Sequence, residues 1–134
     1  MSDLEYYLVN ASGYEPKFIR AYGTHTDQWT LAYQCPTDKR LAIVHVTMIF
    51  HTVGTNGGAS LCLSDQATHA TVAADTNKKI IVDPVESPVV LNNGSMNFEG
   101  CPVIGLKNQS IWIMTEASAD GESDCHFAIG YLIL

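Results

Sequence analysis

The chain has 134 residues, of which 46% are hydrophobic and only 16% charged, and its net charge is −7. That length is one domain's worth, and so apolar a composition with so little charge excludes a disordered chain. Acids outnumber bases 14 to 7, which argues against nucleic acid and against an anionic membrane as partners, since both call for clustered Lys and Arg.

The first 27 residues hold several aromatics (Tyr6, Tyr7, Tyr14, Phe18, Tyr22) and little regular period. They read as an N-terminal arm or strand segment, whose tyrosines suit an interface because the ring buries area while the hydroxyl stays wet. Packing onto the chain's own core is the competing reading. From Gln28 the texture becomes β-prone. Gln28–Tyr33 reads as a strand, and Cys35-Pro36-Thr37-Asp38 as a turn. Leu41–Val53 is the longest strand. Ala42, Val44, Val46, Met48 and Phe50 alternate onto one face, and Leu41, Ile43, His45, Thr47, Ile49 and His51 onto the other. Both faces are largely apolar, so the strand belongs to a covered sheet. Gly54-Thr55-Asn56-Gly57-Gly58 predicts a tight hairpin with Ala59–Ser64 as the returning strand.

Residues 65–79 are polar and read as an exposed loop, followed by a short strand at Lys79–Val82. Val89–Leu91 and Ser95–Phe98 read as two more short strands, and Gly105–Asn108 as a turn. Ser110–Ala117 and Cys125–Leu134 both alternate, and the acidic loop Asp120–Ser123 predicts that they pair as a hairpin. About eight short strands with turn signals between them predict a single-domain antiparallel β-sandwich, jelly-roll-like or immunoglobulin-like, over residues 28–134. Trp29, Val44, Val46, Phe50, Ile111, Ile113, Phe127, Ile129 and Tyr131 are its expected core.

Residues able to carry chemistry are present, but not in chemical patterns. Cys35, Cys62, Cys101 and Cys125 lack the close spacing of a zinc site or a redox pair. The N-terminus shows no apolar signal core, so free thiols in a reducing compartment are expected. His45 and His51 lie on one strand about 20 Å apart, too far to share a metal ion. No nucleophile elbow, phosphate loop or complete calcium loop occurs. Asp120, Glu122 and Asp124 share one loop, whereas the paired acids of a glycosidase flank a cleft. The residues therefore predict no catalytic group, no cofactor and no metal. Trp29 and Trp112 are the residues able to stack on a sugar, against the plainer reading that both are core.

The run Gln28–Val44, with its strand, Pro-x-x-Lys turn and long Ile/Val strand, resembles small tailed-phage virion proteins. The hairpin signal at 54–58, the segment Leu91-Asn92-Asn93-Gly94, and the pair Gln109–Ile113 and Phe127–Leu132 extend the likeness over about residues 28–134. The ending His126–Leu132 is also similar to the last strand of trimeric C1q/TNF-like jelly rolls. The phage resemblance implies a non-enzymatic clamp that decorates the outside of a capsid and stabilises it, made in the host cytoplasm and residing in the virion. The partners it implies are other copies of the chain, as a homotrimer on a local three-fold axis, and the major capsid protein or another virion protein. Tyr6, Tyr7, Tyr14, Phe18 and Tyr22 are the expected interface, because Tyr is enriched at interfaces and the long strand has a second apolar face to cover. The alternative function is a carbohydrate- or receptor-binding module of a tail or head fibre, with a glycan as ligand.

Overall fold

The structure is a computed structural model that describes residues 17–23, 28–52, 58–82, 94–97, 101–115 and 124–134. Among these are nine strands and one helix: β1 (Lys17–Gly23), β2 (Thr30–Tyr33), β3 (Leu41–Thr52), β4 (Ala59–Ser64), α1 (His69–Ala74), β5 (Lys79–Val82), β6 (Gly94–Asn97), β7 (Val103–Ile104), β8 (Ser110–Thr115) and β9 (Asp124–Ile133). They form two antiparallel sheets. The first runs β1-β9-β3, with β6 and β7 both on the far side of β3. Their registers, Ala42 opposite Ile104 and His45 opposite Asn97, make them two segments of one edge position. The second sheet runs β2-β8-β4-β5.

The chain changes sheet at nearly every connection, and only β4 and β5 are both consecutive and paired. With four strand positions in each sheet, this is the jelly-roll form of the expected sandwich. The arm contributes directly: β1 pairs along the whole of its length with β9, from Lys17 opposite Tyr131 to Gly23 opposite Cys125. Residues 1–16 and 24–27 lie outside the described residues, as do Val89–Leu91 and the acidic loop at 120–123.

Two hairpins predicted from the alternation do not form. β3 is flanked by β9 on one edge and by β6 and β7 on the other, so it has no edge left for β4. β4 in turn lies between β8 and β5. The C-terminal pair separates in the same way, with β8 between β2 and β4 and β9 between β1 and β3. In each case the two strands belong to opposite layers.

The long strand also departs from simple alternation. Ile43 pairs with Tyr131 and His45 with Gly130, so Val44 is an extra residue in a bulge. The bulge exchanges the faces. Leu41 and Ile43 before it, and Val46, Met48 and Phe50 after it, all join the main core. Ala42 and Val44 instead form a small outer cluster with Ile104 and Leu132.

The main core between the sheets also takes Leu61, Leu63, Ile111, Ile113, Phe127, Ile129 and Tyr131. All nine expected core residues are buried, though in three places: Val44 lies in the outer cluster, and Trp29 packs with Cys62, Val72 and Trp112 outside the second sheet. Val72 belongs to α1, a helix inside the segment read as a loop. Thr68 caps it, its Oγ1 accepting from the Thr71 N–H while Thr71 Oγ1 accepts from the Thr68 N–H. A Thr-x-x-Thr box is less legible than the usual Ser/Thr-x-x-Glu, and six residues are too few to show a helical period.

One end of the sandwich is tied by two turns whose central residues have positive φ, Asp38 (60°) and Asn108 (66°). The Asp38 N–H donates to Asn108 Oδ1 at 2.7 Å, and Arg40 Nε donates to the Gly105 carbonyl at 2.7 Å. Buried Gln109 joins this end to Asn77, whose carbonyl accepts from its Nε2.

Candidate functional site

The bulge at Val44 decides what the first sheet shows to the outside. Beyond it, His45, Thr47 and Ile49 share the outer face with His126, Ala128 and Gly130 of β9 and with Phe18, Arg20 and Tyr22 of β1, by register. Three large apolar side chains are left open there: Phe18 is 66% exposed, Tyr22 47% and Ile49 47%. Single exposed hydrophobics need no explanation, but a group of them on one face of a sheet marks a contact surface.

The face is shaped as well as apolar. Phe18 lies across Gly130, where a Cβ would come within 2.9 Å of the ring. This aromatic-over-glycine pair lets the two strands meet closely. The Tyr22 and His126 rings meet edge to face with centroids 4.4 Å apart. His45 Nε2 and Thr47 Oγ1 are hydrogen-bonded at 2.7 Å. Between Tyr22, Ile49, Thr47, Ala128 and the stem of Arg20 lies an open hollow of about 420 Å³. Its walls are chiefly apolar, which suits contact with an apolar surface.

Of the expected interface residues, the structure brings Phe18 and Tyr22 together on this face, while Tyr6, Tyr7 and Tyr14 lie outside the described residues. Ile49, Thr47, His126 and Ala128 join them. Strict alternation had put Ile49 on the same face as Leu41 and Ile43, and the one-residue bulge separates them. The apolar run on both sides of β3 was the signal for a second covered surface.

The buried thiols are held in their protonated form. All four cysteines are free thiols, three of them buried. Burial pushes the Cys62 thiol up to about 12, despite the nearby positive charge of Lys78, and pushes Cys125 up to about 12 as well. Cys35 is also raised by burial, against a backbone hydrogen bond at Asn108 that works the other way. Among the described residues, no three His, Cys, Asp or Glu side chains gather closely enough to hold a metal ion. No helix among them is long and apolar enough to cross a membrane. Trp29 is 8% and Trp112 5% exposed, so neither offers an open ring face for stacking a sugar, and their plainer reading as packed residues describes them.

No protein-family model matches the chain, and no curated protein matches it. Among solved structures it is similar to a chain in the structure of the infectious bursal disease virus Gt strain, with a TM-score of 0.44 and 11% identity over 90% of this chain. It is also similar to a chain in the infectious bursal disease virus VP2 subviral particle, with a TM-score of 0.39 and 12% identity over 87% of this chain. The chain spans about a third of the length of each, 33% and 32%. At these values the likeness assigns neither family nor function.

Proposed function

We propose that the chain is a non-enzymatic structural protein of a tailed-phage particle, which seats on the outer capsid surface and stabilises it as a homotrimer. The observation that carries this reading is the outer face of the first sheet, where Phe18, Tyr22 and Ile49 are exposed together around an apolar hollow. Burying three such side chains is worth roughly 1.5–3 kcal/mol each, enough to matter in an association. The resemblance of residues 28–134 to small phage virion proteins supplies the kind of assembly, and a three-fold arrangement matches a capsid's local symmetry. Self-association places the apolar face between copies and leaves the remaining surface for the capsid.

The test is light scattering on the full chain at micromolar concentration, alongside a Phe18→Asp/Ile49→Asp variant. The expected result is three chain masses for the wild type and one for the variant, with the same far-ultraviolet circular dichroism. A wild type of single-chain mass would end the self-association reading. Co-sedimentation with phage capsids stripped of accessory proteins tests the other half: the wild type should bind and raise the temperature at which the shells break.

A further inference from the structure

The second sheet carries a different kind of site. On its outer face Ser60 stands opposite Met114, next to the pair Cys62 and Trp112. α1 covers Cys62 and Trp112 through Val72, and Met114 packs against the edge of that cluster. What remains between the end of the helix and the strands is a pocket of about 250 Å³ lined by Trp29, Ser60, Ala73, Lys78, Ile80 and Met114, among others.

Ser60 is 2% exposed, and its Oγ finds no hydrogen-bond partner among the protein atoms. A buried hydroxyl in that condition is costly, and native proteins seldom keep one without a reason. It lines the wall of a pocket otherwise made almost wholly of apolar surface. Lys78 adds a cation in a fixed position, because its Nζ donates to the Ala73 carbonyl at 2.7 Å and to the Val72 carbonyl at 3.4 Å. Ile80, at the rim, is 48% exposed, so the pocket opens to solvent.

We infer that this pocket binds a single aromatic ring bearing one hydrogen-bonding group, a phenol in the simplest case. Each wall contributes to that choice. A methionine sulfur favours an aromatic edge, and an ammonium favours an aromatic face. The single hydroxyl of Ser60 matches a single polar substituent. A sugar would bring several hydroxyls to a pocket with one hydroxyl and one ammonium, and most of them would be buried unpaired. The volume suits one ring and is below the usual range for drug-sized ligands. The pocket lies on the sheet opposite Phe18, Tyr22 and Ile49, so it operates whether or not the chain assembles through that face.

The phenol has two sources, a free small molecule or a tyrosine side chain of another polypeptide, and two probes separate them. The chain has four methionines, so a methyl-labelled methionine spectrum resolves Met114 directly. Titration with p-cresol should shift the Met114 methyl signal and leave that of buried Met48 unmoved. Ser60→Ala should weaken p-cresol binding about two- to ten-fold, the range of one hydrogen bond, while melting at or above the wild-type temperature because an unpaired hydroxyl is gone. Ala73→Phe, at an exposed position on the pocket wall, should abolish binding without loss of fold. If N-acetyltyrosinamide binds as p-cresol does, the ring arrives on a polypeptide; if p-cresol alone binds, it arrives free. The proposal is overturned if neither probe moves Met114, if cyclohexanol binds as tightly as p-cresol, or if Ser60→Ala melts several degrees lower, which would show that the hydroxyl already has a partner.

Discussion

Phe127 is 1% exposed and sits in the main core, opposite Ala21 of β1 and Met48 of β3. Removing a ring from such a place leaves a cavity that the paired strands cannot close, at a cost of about 3–5 kcal/mol. At roughly 3 °C per kcal/mol for a domain of this size, Phe127→Ala should lower the melting temperature by about 10 °C or more. Leu106→Ala, at a position 54% exposed, should change stability by no more than ~0.5 kcal/mol. Comparable melting temperatures for the two variants would contradict the burial. The thiols make a second prediction. Cys62 and Cys125 are protonated in the folded chain up to about pH 12, whereas in the unfolded chain they ionise around their ordinary value of 9.0. Above that value the unfolded chain has released protons that the folded chain still holds, so stability falls as pH rises from about 9 toward 12. Urea denaturation at pH 8 and pH 10.5 should show this loss, and replacing both cysteines with alanine should reduce it. At pH 8 a thiol reagent should label exposed Cys101 quickly and the three buried thiols only after unfolding.

At the scale of elements, position in the sheet governs stability more than length or composition does. β9 is bonded on both edges, to β1 and to β3, and β8 likewise to β2 and β4. Among the described residues, β1, β2 and β5 each have one bonded neighbour. Amide hydrogen exchange should therefore be slowest in β3, β9, β4 and β8 and fastest at β5 and β1, since edge strands open at lower free energy. Exchange from β9 as fast as from β1 would contradict the strand order. The same positions explain how far the elements were legible in the sequence. Strands read from β-prone runs and turn residues at 28–33, 41–53, 59–64, 79–82 and 95–98 lie within two residues of β2, β3, β4, β5 and β6. Which strands pair does not follow from these signals, because alternation reports a strand's faces and is silent about its edges. α1 escaped because Val72 is the one buried residue among its six, too little for a period to register.

For the whole molecule, a net charge of −7 sets copies against one another. If they meet through the face of Phe18, Tyr22 and Ile49, salt screens the general repulsion and leaves the apolar contact intact. The dissociation constant of the assembly should accordingly fall as salt rises from about 0.05 to 0.5 M, where the Debye length shrinks from more than ~10 Å to a few Å. An assembly that salt takes apart would rest on charge pairs, and the Phe18 face would not be its contact. The two outer faces differ: the first sheet carries an open apolar hollow, and the second is partly covered by α1, with a pocket at the end of that helix.

The layered β architecture is legible in the chain, because alternating apolar residues must be buried on one side and turn residues interrupt them at short intervals. Alternation also pointed to large side chains that are buried in the fold, Phe127 and Ile129 among them. The jelly-roll order, the outer face and the pocket come from the assembled sheets. Pairing depends on which edges remain free once every strand is placed, and that is a property of the whole sheet. The bulge at Val44 turns Ile49 outward against the plain alternation, because the pairing of β3 with β9 on either side of it requires one residue more in β3 than in its partner. Ser60 and Met114 face each other only because β4 and β8 are neighbours, and 54 residues of chain separate them.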